Sequence, residues 1–151
     1  MRIMAIDYGE ARTGAAVSDA TGMLAGEAWV IFERNTEKLL HRIVEEAASR
    51  AVEKIVMGYP RNMDGSLGPR AEKYAEFAQL LREASGLPVE LWDERRTTID
   101  AHRILSENGR RGQKHKQTVD AVAASLILEG YLNAMRIEAE RGGTDSPGEQ
   151  L

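Results

Sequence analysis

Aliphatic residues dominate Arg2 to Asp7, and a second apolar run, Thr13 to Ser18, follows a turn containing Gly9. Two short runs of this kind, joined through a glycine-bearing turn, predict a β-hairpin. Met23 to Phe32 reads as a third strand after the turn-forming Asp19-Ala20-Thr21-Gly22. The period then changes. Leu39, Leu40, Ile43, Val44 and Ala47 recur at three-to-four spacing behind Asn35 and Thr36, which predicts a capped helix from Thr36 to Ala51. Lys54 to Met57 predicts a short buried strand, and Gly58 to Gly68 a loop. Pro69 suits the first position of a helix that turns Tyr74, Phe77, Ala78 and Leu81 inward and stops near Gly86. Val89 to Trp92 is the fifth strand. Thr97 or Thr98 caps a helix to about Asn108 and Gly109, a basic loop follows, and a last helix runs from about Thr118 to Ile137 or beyond. The polar, Gly-rich residues 141–151 predict a disordered tail behind one domain spanning 1–140.

Three strands followed by helix, strand, helix, strand, helix predict an α/β fold with a five-stranded mixed sheet. The opening hairpins are antiparallel, the later crossovers demand parallel neighbours, and helices cover both faces. A chain of 151 residues, 42% hydrophobic, has the size of one domain with a single core. It contains no cysteine, so any metal must be held by oxygen or by the three histidines, and neither disulfides nor a thiolate nucleophile enter the chemistry. That suits a reducing cytoplasm. No apolar run approaches the length needed to span a bilayer, so membrane association is not expected. The net charge of −4 excludes a uniformly basic polyanion binder, yet Arg110, Arg111, Lys114 and Lys116 cluster within seven residues, with His115 among them.

The chemistry lies in four motifs: Asp7-Tyr8-Gly9-Glu10-Ala11-Arg12-Thr13-Gly14, Gly58-Tyr59-Pro60, Asp93-Glu94-Arg95-Arg96-Thr97-Thr98, and Thr118-Val119-Asp120. Strands one, four and five are parallel, so Asp7, Gly58 and the pair Asp93-Glu94 converge on their carboxyl edge, where open α/β sheets carry their sites. Asp19 does not join them, because the second strand runs back about 7 residues, or ~23 Å. Asp93 and Glu94 compete, since successive residues of a strand point to opposite faces. Asp120 can return: the third helix carries the chain ~16 Å away, and Gly109 to Gln117 can extend ~30 Å. Carboxylates gathered at one point repel, and a divalent cation relieves that. Oxygen donors favour Mg2+ or Mn2+, and a pair of such ions suits hydrolysis of a phosphodiester by in-line displacement. Each acid also has an ordinary structural explanation: Asp7 bonding turn amides, Glu94 pairing with an arginine, Asp120 favouring the amino end of its helix.

The element order resembles the ribonuclease H-like fold. Asp7-x-Gly9-x-x-Arg12-x-Gly14, Ser18-Asp19, Gly58-x-Pro60 with Gly65, Asp93-Glu94-Arg95-x-Thr97-Thr98 and Asp120-x-x-Ala123-Ala124 narrow the resemblance to the YqgF/RuvX family, associated with Holliday junctions and with bacterial ribosomal RNA maturation. It spans Met1 to about Tyr131; Thr13 departs from it, since an aliphatic residue is more usual there. The resemblance selects Glu94 over Asp93 and implies Asp7, Glu94 and Asp120 as catalytic, metal-holding acids. It also implies 5′ processing of precursor 16S rRNA, with four-way DNA junctions as the alternative substrate.

Nucleic-acid contacts are expected from Arg12, Arg95, Arg110, Arg111, Lys114 and Lys116, which would make binding salt-dependent. Gly9, Gly14, Gly58, Pro60, Thr97 and Thr98 are read as supporting residues, the threonines also as helix caps. His41 and His102 sit on helices without a partner at metal-ligand spacing, His115 could assist proton transfer but among lysines is read as incidental, and Trp92 belongs to the core. Junction cleavage needs two sites about a twofold axis, so monomer and homodimer both stand. Two other classes remain: a catalytically silent nucleic-acid adaptor, and the sugar kinases and actin-like ATPases, which need two such lobes where this length fits one.

Overall fold

The first two apolar runs pair as a hairpin, and the rest of the sheet is built outward from it. The computed structural model of the chain describes residues 1–22, 24–59, 68–93 and 112–142. Strands β1 (Ile3–Asp7), β2 (Arg12–Ser18) and β3 (Ala25–Phe32) form an antiparallel meander, and β4 (Lys54–Tyr59) and β5 (Val89–Asp93) add in parallel on the other side of β1. The sheet order is β3-β2-β1-β4-β5. Gly9 closes the β1–β2 turn because nothing larger fits: a Cβ there would lie 2.2 Å from the Arg12 carbonyl oxygen.

Alternation along the strands divides the core in two. Met4 and Ile6 of β1, and Tyr8 just past it, face one way, with Ala15, Val17, Ile55, Met57 and Val89. Helices α1 (Thr36–Ser49) and α2 (Pro69–Ser85) cover that side. Leu39, Ile43 and Ala47 of α1 are buried there, as are Tyr74, Phe77, Ala78 and Leu81 of α2, in the periodicity the sequence predicts. Asn35 Oδ1 accepts from the Lys38 backbone N–H at 2.9 Å and caps α1, while Gly86, at φ 71, ends α2 in the left-handed conformation.

Ile3, Ala5, Ala16, Val56 and Trp92 face the other way, under helix α3 (Gly112–Gly142). Small side chains carry the approach: Ala5 and Ala16, paired across β1 and β2, are fully buried, as is Ala124 of the helix. Ile127, Leu128 and Tyr131 complete the layer, and each fully buried Ile or Leu contributes about 1.5–3 kcal/mol over its exposed state. The Lys54 ammonium ties the helix to the amino edge of the sheet, bonding the Tyr131 hydroxyl and, at 2.9 Å, the Glu90 carboxylate.

Several boundaries differ from the sequence reading. β3 begins at Ala25, the predicted start Met23 lying outside the described residues, and α1 ends at Ser49, with Ala51 at φ 55 ending the helix short of its predicted bound. β4 continues through Gly58 and Tyr59, because β5 offers Trp92 and Asp93 as partners there, so Gly58 belongs to a strand and not to a loop. Gly14 lies within β2, as the strand predicted from Thr13 to Ser18 requires. The largest difference is at the last helix, which starts at Gly112, so Lys114, His115 and Lys116 are helical and no extended return runs to Gln117. Lys and Gln propagate a helix well, and charge density alone is a poor signal for a loop. The predicted Thr97–Gly109 helix lies outside the described residues.

Candidate active site

Asp7 ends β1 at the centre of the sheet. Ile3 and Ala5 face α3, so alternation puts Asp7 on the same face. Its cross-strand partner in β2 is Gly14, and one step past the parallel pair Ile6 and Met57 brings Gly58 alongside from β4. Gly14 in turn faces Val30, and Gly58 faces Trp92. The row across this edge therefore reads Val30, Gly14, Asp7, Gly58, Trp92: one carboxylate between two residues without side chains, with bulk only beyond them. The convergence of Asp7, Gly58 and the end of β5 predicted from the parallel order is present.

Asp93 pairs with Tyr59 at that edge but follows Leu91 onto the α1 and α2 face, away from Asp7's side. Asp19 sits at the opposite edge, where Ser18 Oγ accepts from the Ile3 backbone N–H at 2.9 Å and Asp19 accepts from Thr21 at 2.7 Å. It takes no part in the site. Position 120 lies in α3, one turn before Ala124, which packs on Asp7's face of the sheet. Glu94, Pro60, Arg95, Thr97, Thr98, His102, Arg110 and Arg111 lie outside the described residues, as do the side chains of Lys114, Lys116 and Asp120. Among the described residues no three His, Cys, Asp or Glu side chains form an ion cage.

A cavity of about 560 Å³ opens beside Asp7, walled by the turn residues Tyr8 to Arg12 and by Arg70, Lys73 and Tyr74 of α2. Arg12 is among the residues that line this cavity. Arg70, Lys73 and Tyr74 are additions that the sequence reading missed; their signal was the spacing of two cations on the first turn of a helix that follows β4. The Tyr74 hydroxyl donates to the Tyr8 carbonyl at 2.9 Å and accepts from the Arg70 guanidinium at 2.7 Å, while Lys73 pairs with Glu10 at 3.2 Å. The Tyr8 ring stacks on Phe77 with centroids 4.2 Å apart, which fixes the backbone next to Asp7. Thr13, buried beneath the turn, exchanges two long 3.4 Å bonds with the Gly9 amide and carbonyl. His41, by contrast, is an exposed partner of Glu45, and Trp92 is core, edge-on to Tyr131.

The donor set suits a hard cation. Asp7 offers carboxylate oxygens, its two in-sheet neighbours leave room beside it, and neither sulfur nor a nearby histidine competes among the described residues.

Comparison with known proteins agrees with this geometry. A protein of Halothermothrix orenii named "Putative pre-16S rRNA nuclease" is 47% identical over 133 residues, covering 88% of this chain and 95% of its own. One of the same name from Pelotomaculum thermopropionicum is 42% identical over 149 residues, covering 98% and 97%. Among solved structures, Thermus thermophilus RuvC in complex with a Holliday junction superposes with a TM-score of 0.59 at 15% identity, over 97% of this chain and 99% of that one. The Fowlpox virus resolvase bound to junction DNA gives 0.54 at 12% identity, over 89% and 98%. These two share the ribonuclease H-like fold. The sequence profile described as RuvX: Holliday junction resolvase matches residues 1–134, and the chain belongs to that family.

Proposed function

We propose that the protein is a metal-dependent nuclease that hydrolyses phosphodiester bonds in structured RNA, acting in 5′ maturation of precursor 16S rRNA. The observation that carries this is the placing of Asp7: a carboxylate at the centre of the carboxyl edge, between Gly14 and Gly58, at the rim of a cavity that Arg12, Arg70 and Lys73 also line. The naming of relatives at 42–48% identity supports the substrate.

Asp7, Glu94 and Asp120 are the acids we assign to hold Mg2+ or Mn2+. Two facts favour the second and third: Asp93 occupies the wrong face of β5, and position 120 precedes Ala124 by one turn on the right one. Tyr131, eleven residues further, meets Lys54 at the amino edge; a helix covers that interval in ~16 Å, about the span of β1. The bound cation would lower the pKa of a water molecule and offset charge on the transferring phosphoryl group. The protein's own part is to keep three carboxylates convergent, to leave room for a phosphate beside Asp7, and to counter its charge with Arg12, Arg95 and the Arg110–Lys116 cluster.

Cleavage of four-way DNA is the second reading, favoured by the family description and by the shared fold of the two junction-bound proteins. It calls for a homodimer, whereas the RNA reading accepts a monomer. No helix among the described residues is long and apolar enough to cross a membrane, and we assign a cytoplasmic location from the rRNA reading.

The test compares wild type with Asp7→Asn on precursor 16S rRNA and on junction DNA, with Mg2+ or Mn2+. The variant should keep its fold and lose activity by on the order of 10²- to 10³-fold, as when one positioned active-site group is removed. Equal cleavage by both proteins removes Asp7 from the chemistry; cleavage of the junction alone moves the assignment to DNA.

A further inference from the structure

The cavity beside Asp7 holds cations that the hydrolytic reading leaves without a task. Arg70 and Lys73 stand three residues apart on α2, hence on one side of it, and both line the cavity with Arg12. Lys73 pairs with Glu10, but their side chains are 54% and 82% exposed, so the pair is a solvated contact that an incoming phosphate can replace. Arg70 is held differently. Its guanidinium bonds the Tyr74 hydroxyl at 2.7 Å, and that hydroxyl bonds the Tyr8 carbonyl, so Arg70 is registered to the residue following Asp7. A guanidinium carries five N–H donors, and a bond to Tyr74 is compatible with a phosphate contact.

The aromatic rings give the complementary fact. Tyr8 and Tyr74 are 8% and 5% exposed, with their rings packed on each other and Tyr8 on Phe77, so no ring surface is offered for a base to stack on. The cavity can read charge but not base identity.

We infer that Arg70 and Lys73, together with Arg12, bind a backbone phosphate of the substrate strand, drawing that strand from Asp7 round the carboxyl edge of the sheet toward α2. This rests on the assignment of Asp7 as the reacting centre. The ligand is a nucleic-acid phosphodiester, recognised independently of sequence.

The experiment measures equilibrium binding of a fluorescent single-stranded precursor-rRNA fragment across a salt series, with divalent metal chelated. Wild type is compared with Arg70→Gln/Lys73→Gln, with Lys38→Gln/Arg136→Gln, which removes the same charge elsewhere, and with Tyr74→Phe. Two lost phosphate contacts should lower the slope of log affinity against log salt by about 1.4 and weaken low-salt binding roughly 10-fold, equally for a scrambled RNA. The charge-matched control should stay within about 2-fold of wild type, since non-contacting charges leave the slope unchanged. Tyr74→Phe, which keeps both cations, should retain the wild-type slope.

An unchanged slope in Arg70→Gln/Lys73→Gln overturns the site, as does an equal loss in the control or absence of binding by wild type. Loss of slope in Tyr74→Phe overturns it as well, because Arg70 would then act by bracing the turn. Binding without metal is independent of cleavage. A protein that binds as expected but cuts nothing defeats the nuclease reading and leaves this site standing; one that cuts with an indifferent slope does the reverse.

Discussion

Asp7 faces Gly14 directly across the β1–β2 ladder, so the carboxylate has an empty neighbour in the sheet where most strands would place a branched side chain. Directly opposed residues have Cβ atoms about 4.5–5.5 Å apart, so a branched side chain at 14 takes up the space beside the Asp7 carboxylate. Gly14→Val should cut nuclease activity by on the order of 10²-fold, the effect of a roughly 1 Å displacement at a reacting centre. Overpacking should cost about 1–3 kcal/mol. Parallel cleavage assays and thermal melts check both; wild-type turnover in a folded Gly14→Val protein would show that the space is not used.

Gly9 is required by its own backbone rather than by a ligand. A methyl group there meets the Arg12 carbonyl at 2.2 Å, so Gly9→Ala must open the turn that carries Arg12. The expected cost is about 1–3 kcal/mol, and a domain of this size melts ~2–4 °C lower per kcal/mol. A differential scan that leaves the melting temperature in place would contradict the turn geometry.

Thr13 should be nearly dispensable. Its hydroxyl makes two bonds to Gly9 at 3.4 Å, at the weak end of the hydrogen-bond range, and valine fills the same volume. Thr13→Val is expected to change stability by no more than about 1 kcal/mol in urea titration. A loss of several kcal/mol would show that the hydroxyl clamps the turn more tightly than its distances imply.

The Lys54–Tyr131 contact predicts the alkaline limit of stability. Burial alone would lower the Lys54 pKa, but its bonds to Tyr131 and Glu90 outweigh that and raise it above 10.5; burial raises the Tyr131 phenol above 10.0. Both groups keep their protons better folded than unfolded. Their contribution is therefore complete below about pH 10 and is lost as pH climbs through the raised values. Urea midpoints should show no pH dependence from this contact near neutral pH and fall above pH ~10, and Tyr131→Phe should cost about 0.5–1.5 kcal/mol at neutral pH and flatten that fall. An unchanged alkaline fall in the variant would assign it elsewhere.

Ala124 sets how closely α3 lies on the sheet. It is fully buried, one turn after Asp120, against a layer that includes Ala5 and Ala16. Ala124→Leu should lift this end of the helix, costing about 1–3 kcal/mol and lowering activity more than binding. Equal activity with intact stability would mean that Asp120 does not depend on this packing.

The readable part of the fold was local. Short apolar runs bounded by turn residues and three-to-four spacing marked all five strands and the two helices over the first core, and capping chemistry at Asn35 and Gly86 placed helix ends to within a residue or two. Where two local signals conflicted, the wrong one was followed. The charge cluster at Lys114 and Lys116 suggested a loop, though every residue from Gln113 to Gln117 is compatible with a helix. At Gly58 and Tyr59 a glycine suggested a break, while partners in β5 extended the strand.

The site divides the same way. Asp7, Arg12 and the glycines beside them announce themselves because their spacing is short and their turn is local. The strand order alone also predicts that Asp7 and the end of β5 share an edge. Arg70, Lys73 and Tyr74 are over fifty residues from Asp7, and no periodicity relates them to it. Only the packing of α2 over the β1–β2 turn makes them neighbours. The sequence determined which residues could carry charge, turn or burial, since those are properties of short segments. Tertiary structure decided which face Asp7 and Asp93 present and which cations line its cavity, because these depend on register between strands and on helix docking, where distant parts of the chain meet.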